Sequence, residues 1–253
     1  MATERWLSRR QARVNAQPDP ATKYLTARDL FSSKAGNSFD EIRSTLSDMS
    51  PPGKACFYCE RDRYRDIDHI RPIRFFPETC FSWQNFVYAC TRCNQDAKRD
   101  QVWIINESGE LLKYDRSTPL GTALPRGLHA LIDIRHEDPL EFLALELETG
   151  LFVAIGQDAV TRLRGCFTRD LFGLNSDDLS KIRRQMRETF ILYLTRYSDA
   201  TRAGDPDAAE RALDEIKELP HPTVLDEIRR QAPSDSRTAP LLDGLPAWPN
   251  PLR

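Results

Sequence analysis

Two Cys-x-x-Cys pairs, Cys56/Cys59 and Cys90/Cys93, constrain this chain more than any other feature. Six cysteines occur in 253 residues, and random placement would give only about 0.14 such pairs. A disulfide scaffold of this length would carry more cysteines. The N-terminal stretch MATERWLSRRQARVN has no apolar signal core, so an oxidising compartment is not expected. The pairs then read as four thiolates around one tetrahedral Zn2+, a closed structural site made by Cys56, Cys59, Cys90 and Cys93. The surrounding region is too short to bury much core, so metal binding would supply part of its folding energy. Thirty residues separate the two pairs, more than an ordinary zinc ribbon holds. The insert therefore has a purpose of its own. Cys80 and Cys166, outside the pairs, read as small buried apolar residues.

The composition is that of a globular protein, 40% hydrophobic and 29% charged, and excludes disorder of the whole chain. No run of about 18 apolar residues exists, so no membrane span is expected, and a cytoplasmic location is. Charge is uneven. Residues 1–100 hold 17 Lys/Arg and 13 Asp/Glu, whereas residues 101–253 hold 19 and 25. Any nucleic-acid contact must therefore come from a local patch in the first part.

The fold class expected is α+β: a zinc-stapled ββα core with mostly helical flanks and two β-hairpins. Residues 1–50 read as an N-terminal helical region. Arg5, Arg9, Arg10 and Arg13 lie at helical spacing, Pro18 and Pro20 interrupt, and Ser38 with Glu41 has the capping-box pattern. Residues 51–115 form the expected core, ending in a hairpin over 102–114. Residues 116–232 hold a second hairpin near 142–155 and helices near 158–171, 177–203, 206–219 and 223–231. Residues 233–253, rich in proline and without periodicity, read as a flexible tail.

Chemistry concentrates in the insert. His69 follows Asp68 and precedes Ile70-Arg71-Pro72, and Asn85 and Asn94 lie downstream. Carboxylate and amide oxygens are hard ligands suited to Mg2+. A neutral imidazole beside a metal-bound phosphate is a suitable base for activating water. Those are the requirements of phosphodiester hydrolysis.

The segment CFYCE, DIDHIRP, SWQNFVYACTRCNQDAK resembles the HNH endonucleases of the four-cysteine, ββα-metal type. The resemblance implies that His69 is the general base, that Asp68 and Asn94 hold a catalytic Mg2+ or Mn2+, and that Asn85 braces the loop orienting His69. Lys98, one turn beyond Asn94, would meet phosphate, as would Arg71 and Arg74 from the cluster Arg61, Arg63, Arg65, Arg71 and Arg74. Adjacent strand residues point to opposite faces, so Asp68 and His69 share a site only if the strand end twists or bulges. A softer likeness over 54–190, through 131–139 and Leu171-Phe172-Gly173-Leu174-Asn175, is similar to HNH proteins encoded beside ABC-type ATPases in bacterial anti-phage systems, including Septu and some retrons. It implies a nucleic-acid substrate, DNA before RNA, and assembly with an ATPase partner or with itself through the helices after Asn175. The competing reading is a zinc module that binds nucleic acid or a partner without catalysis. Trp83 reads as core, and His129, His136 and His221 as structural or surface residues.

Overall fold

A computed structural model describes residues 2–33, 36–52, 54–61 and 65–246. It is a mixed helix-and-strand chain, with its strands in small antiparallel sheets. The N-terminal region folds as α1 (Ala2–Asn15), α2 (Pro20–Ser32) and α3 (Asn37–Asp48). Asp19 caps α2 through Thr22 N, with Pro20 at the first helical position, where a missing N–H costs nothing. Ser38 and Glu41 do not form the expected capping box. Helix α3 starts after Gly36 without a side-chain cap, and Glu41 accepts instead from Thr3 Oγ1 of α1. A tertiary contact has taken the carboxylate that the local motif would use. The basic face of α1 narrows to Arg5, Arg9 and Arg13, all exposed. Arg10 turns inward, over the Trp6 ring and onto the carbonyl of Leu30.

Next come β1 (Arg65–His69) and β2 (Phe86–Cys90), paired antiparallel from Arg65–Cys90 to His69–Phe86. A short π-helix, Arg92–Lys98, follows directly. The expected hairpin at 102–114 is present as β3 (Val102–Ile105) and β4 (Leu111–Tyr114), and β5 (Leu128–His129) joins it on the other side of β3. The second hairpin is β6 (Leu143–Glu146) with β7 (Leu151–Ala154). Helices α4 (Ala159–Leu171), α5 (Asp177–Ala203), α6 (Pro206–Glu218) and α7 (Pro222–Gln231) complete the fold. The sharp reversal between α5 and α6 has a local cause: Gly204 ends α5 in the left-handed region, Asp205 caps α6, and Pro206 starts it.

Among the described residues the apolar interior forms two clusters. Leu7, Val14, Phe39, Ile42 and Leu46 pack with Ile67, Phe81 and Phe86 in the smaller one. The larger joins the four paired cysteines, Val87 and Ala89 to Phe172, Phe190, Leu194, Ile216 and Ile228. Because strand side chains alternate, the β1–β2 pair is a shared wall: Ile67 and Phe86 face one cluster, Val87 and Ala89 the other.

The stretch read as a flexible tail is folded against α5 for much of its length. Ala232–Ser234 and Ala239–Leu242 are short 3-10 turns, Leu241, Leu242 and Leu245 pack on the larger cluster, and Tyr197 Oη donates to the Gly244 carbonyl at 2.7 Å. Isolated leucines between prolines bury without periodicity, so pattern reading misses them. The end of the tail lies outside the described residues.

Gly150, in the β6–β7 turn, has φ +71, and a Cβ there would meet the Ser180 carbonyl of α5 at 2.2 Å. Gly109, in the β3–β4 turn, has φ +80 with open space around it. Gly150→Ala should therefore destabilise the protein by about 1–3 kcal/mol more than Gly109→Ala, the usual range for overpacking. Urea titration of both variants measures this, and equal losses would contradict this docking of the hairpin on α5.

Candidate metal centre and active site

Cys56 and Cys59 sit in a tight turn ahead of β1. Glu60 N donates to the Cys56 carbonyl at 2.8 Å, with Glu60 itself in the left-handed region at φ +57. Phe57 N donates to the Tyr88 carbonyl at 3.0 Å, which ties the turn to β2. Cys90 ends β2 and Cys93 lies in the π-helix. The four Sγ atoms lie within 4.8 Å of one another, all buried, and Cys59 Sγ is 3.7 Å from Cys90 Sγ. A tetrahedron with Zn–S bonds of about 2.3 Å has edges of about 3.8 Å. The arrangement thus fits a single metal ion such as zinc. Burial pushes the Cys56 thiol up from its ordinary value, so only a cation in their midst lets all four ionise together. Among the described residues no other His, Cys, Asp or Glu grouping has such spacing. Cys80 is fully buried and Cys166 half-buried, both unpaired.

The knuckle is braced from outside. Glu60 pairs with His221 at 3.3 Å and accepts from Thr223, at the start of α7. Arg61, 5% exposed, bonds Asp178 at 2.6 Å and Ser176 at 2.9 Å, holding the start of α5.

The insert between the cysteine pairs is β1, a loop over 70–85, and β2. Asn85, 5% exposed, stitches this loop together. Its Oδ1 accepts from Arg71 N at 2.7 Å, and its amide donates to the Arg71 and Thr79 carbonyls at 3.0 and 3.1 Å. Ile70 N donates to the Asn85 carbonyl at 3.0 Å. From the other side Gln11 of α1 accepts from Phe81 N and donates to the Pro77 carbonyl. The loop thus presents the Cys80 carbonyl to His69 Nε2 at 2.8 Å. A carbonyl only accepts, so Nε2 carries the proton, and in the neutral ring the lone pair is on Nδ1. The imidazole is 6% exposed and lies edge-on to Phe31 and Phe86 at 4.4 and 5.2 Å.

Asp68 lies on the opposite side of the strand. Pairing is regular through His69–Phe86, so no bulge turns the two side chains to one face. Asp68 Oδ2 accepts from Tyr58 Oη at 2.9 Å, and Oδ1 from Lys98 Nζ at 3.0 Å. Lys98 Nζ also donates to the His69 carbonyl at 2.6 Å. Burial pushes the Asp68 carboxyl up, against the opposing pull of Lys98 and Tyr58. Tyr58 in turn stacks on Phe172 at 4.3 Å. Asn94, half-buried, directly follows Cys93, and its carbonyl accepts from Arg99 N at 2.8 Å, an i to i+5 bond of the π form. Helices of this form are rare and frequently occur at functional sites. A carboxylate and an amide oxygen remain a donor set suited to Mg2+, but here the Asp68 carboxylate is already engaged by an ammonium.

The residues expected to meet phosphate fare differently. Lys98 is 1% exposed and is not a surface contact: its charge is spent on Asp68. Arg74 donates to the carbonyls of Thr118 and Arg116. Arg71 is exposed. Arg63 lies outside the described residues. Trp83 lies edge-on to Phe86, His136 pairs with Asp133 on the surface, and His129 is in β5. Tyr58, Phe31 and the Cys80 carbonyl were not foreseen. Tyr58 stands inside the first knuckle, the one signal that could have pointed to it. A cavity of about 440 Å3 opens between the knuckle and the C-terminal helices. Glu60, Asp138 and Asp226 line it together with Arg183 and Lys217, so its charges select no ligand class. No protein-family model matches the chain, nor does any curated protein or solved structure.

Two expectations follow from this geometry. Purified protein should hold about one tightly bound zinc per chain, and Cys56→Ser or Cys93→Ser should lose it together with the fold of the 54–100 region. Elemental analysis finding no metal in folded protein would contradict this. Asn85→Ala strands buried backbone groups and should cost about 1–3 kcal/mol, measured by urea unfolding.

Proposed function

We propose that this chain is a metal-dependent endonuclease of the HNH type, hydrolysing phosphodiester bonds in nucleic acid, DNA first. The observation that carries this reading is the unit built on the cysteine tetrad. Two antiparallel strands are followed by a helix whose last residue, Lys98, returns to Asp68, and the adjacent imidazole is held by the Cys80 carbonyl in one tautomer. The order strand, strand, helix, with Asp68 and His69 on the first strand and Asn94 on the helix, supports this reading. What also supports the reading is the braced loop that aims one carbonyl at one ring nitrogen of His69, on a unit that also carries Asp68 in its first strand and Asn94 in its helix.

In this reading His69 takes a proton from water through Nδ1 as the water oxygen attacks phosphorus. The bond from phosphorus to the 3′ oxygen breaks, leaving a 5′-phosphate and a 3′-hydroxyl. Asp68 and Asn94 would hold Mg2+ or Mn2+, which when bound neutralises charge on the phosphate and the departing oxygen. Asn85 keeps the loop, and hence His69, in place. The tetrad is structural and separate from this ion. The chain would act in anti-phage defence beside an ATPase partner, as the sequence likeness suggests. The excess of acidic residues after position 100 argues that this half supports assembly, with the ATPase or with itself, and does not wrap nucleic acid.

A second reading has its own support. His69 is nearly buried between aromatic rings and Asp68 is fully engaged, as expected of a zinc module that binds without cutting. Plasmid-nicking and RNA-cleavage assays in Mg2+ or Mn2+, with and without a co-encoded ATPase, separate the two. Wild type should cut, EDTA should stop it before the tetrad metal is lost, and His69→Ala should be slower by about 10²–10⁴. Equal cutting by His69→Ala would remove His69 as the base. Binding with no cutting under any condition would establish the second reading.

A further inference from the structure

Three arginines are buried among the described residues: Arg61, Arg135 and Arg183. Each has enclosed guanidinium nitrogens without a partner. Two of them are otherwise well met. Arg61 bonds the Asp178 carboxylate, and Arg183 donates to the carbonyls of Leu174 and Gly150 at 2.7 and 3.0 Å. The Arg135 guanidinium, 6% exposed, has one hydrogen-bond partner among the described residues, and a neutral one: Nη2 donates to the Gln84 side-chain oxygen at 3.2 Å. Its Nε and Nη1 have none. Asp133 attracts this guanidinium without bonding it, because its oxygens serve the Arg135 backbone N–H and His136. Burial pulls the guanidinium down from its ordinary value, against that attraction. The Trp83 ring, 5.5 Å from the guanidinium carbon, offsets only part of the cost of a desolvated cation.

Arginine does not shed its proton, and water accepting from those nitrogens brings no charge. An arginine with a free stem turns its head to solvent. Here Ile132 and Ile134, both buried, fix the segment that carries it. What the guanidinium lacks is an anion, and its cover is suited to yielding to one. Gln84 is exposed, and its amide oxygen takes a single bond from Nη2. Turning that side chain away frees Nη2 beside the partnerless Nη1, and the two form an edge of the fork that takes two oxygens of one phosphate. Gln84 adjoins Asn85, whose carbonyl accepts from Ile70 N, so the cover is part of the loop that holds His69. One guanidinium is a weak site for a free ion, whereas a polyanion arrives with its other phosphates already held elsewhere. We propose that Arg135 takes a backbone phosphate of nucleic acid, and that the Gln84 side chain covers it until that phosphate displaces the amide. Arg135 follows position 100, in the acidic half of the chain, but it folds against Trp83 and Gln84 and so joins the surface of the first half. The inference rests on the nuclease reading for its partner, nucleic acid, and not on cleavage itself.

The test is fluorescence anisotropy of a labelled DNA duplex with the full chain, without Mg2+ or Mn2+, over a range of KCl. Arg135→Gln should weaken binding roughly tenfold or more, as for a hydrogen bond to a charged group. It should also lower the slope of log Kd against log salt by about 0.9, the value for one phosphate contact. Its urea midpoint should be unchanged or higher, since a charge without a counter-ion has been removed. A merely structural arginine would give a lower midpoint and an unaltered slope. Gln84→Ala should tighten binding roughly 2- to 10-fold, the range for one neutral hydrogen bond, with the slope kept. Inorganic phosphate at matched ionic strength should not compete. A folded Arg135→Gln with the parent's affinity and slope overturns the proposal and leaves the nuclease reading standing. If Arg135→Gln does not fold, Gln84→Ala decides, and no tightening overturns the proposal. Inorganic phosphate competing in the parent but not in Arg135→Gln would make the ligand a free phosphate and overturn the backbone assignment. A parent chain that binds neither DNA nor RNA removes the proposal and the nuclease reading together.

Discussion

The convergence of four cysteines on one point is the constraint from which the rest of the site follows. It joins the turn ahead of β1, the end of β2 and the start of the π-helix, segments that the sequence separates by thirty residues. Neither the two-stranded pair nor the seven-residue helix would be stable alone in water. Pinned together, they become the shared wall between two apolar clusters. The N-terminal helices pack on one side, and α5 to α7 pack on the other. Loss of a metal ion held there would therefore release both halves of the molecule from their common support.

The same pinning accounts for the register of the candidate site residues. With Cys93 in the tetrad and Lys98 on Asp68, the four residues between them must cover the distance, and the π form closes that turn with the Asn94–Arg99 bond. Asp68 and His69 face opposite clusters, as strand geometry requires, so the site is assembled around a strand end and not on one face of the sheet. His69 is held by the loop, and Asp68 by the knuckle and the helix. The two halves meet at Lys98, whose ammonium touches both the Asp68 carboxylate and the His69 carbonyl.

Much of this was legible in the sequence. The cysteine spacing forecast the tetrad, because chance almost never produces it. Glycine and proline at 204–206 fixed the α5–α6 turn, and the hairpins near 102–114 and 142–155 follow from their turn residues. What the sequence hid was set by distant contacts. Glu41 answers to Thr3 and not to its own helix, Lys98 is buried because Asp68 waits for it, and the leucines of 241–245 find a groove that no periodicity announces. The alternation argument did warn that Asp68 and His69 could not share one face, and the regular pairing agrees.

The central claim is that one phosphodiester, one divalent cation and Asp68 meet beside His69 on a scaffold held by a separate zinc. A crystal structure of the His69→Ala chain with duplex and Mn2+, with anomalous scattering collected at both the zinc and manganese edges, tests it most directly. The account predicts zinc at the four cysteines, manganese on an Asp68 oxygen, and a phosphate beside the position of the His69 ring. Duplex bound with the Asp68–Lys98 pair intact and no manganese beside it would contradict the account.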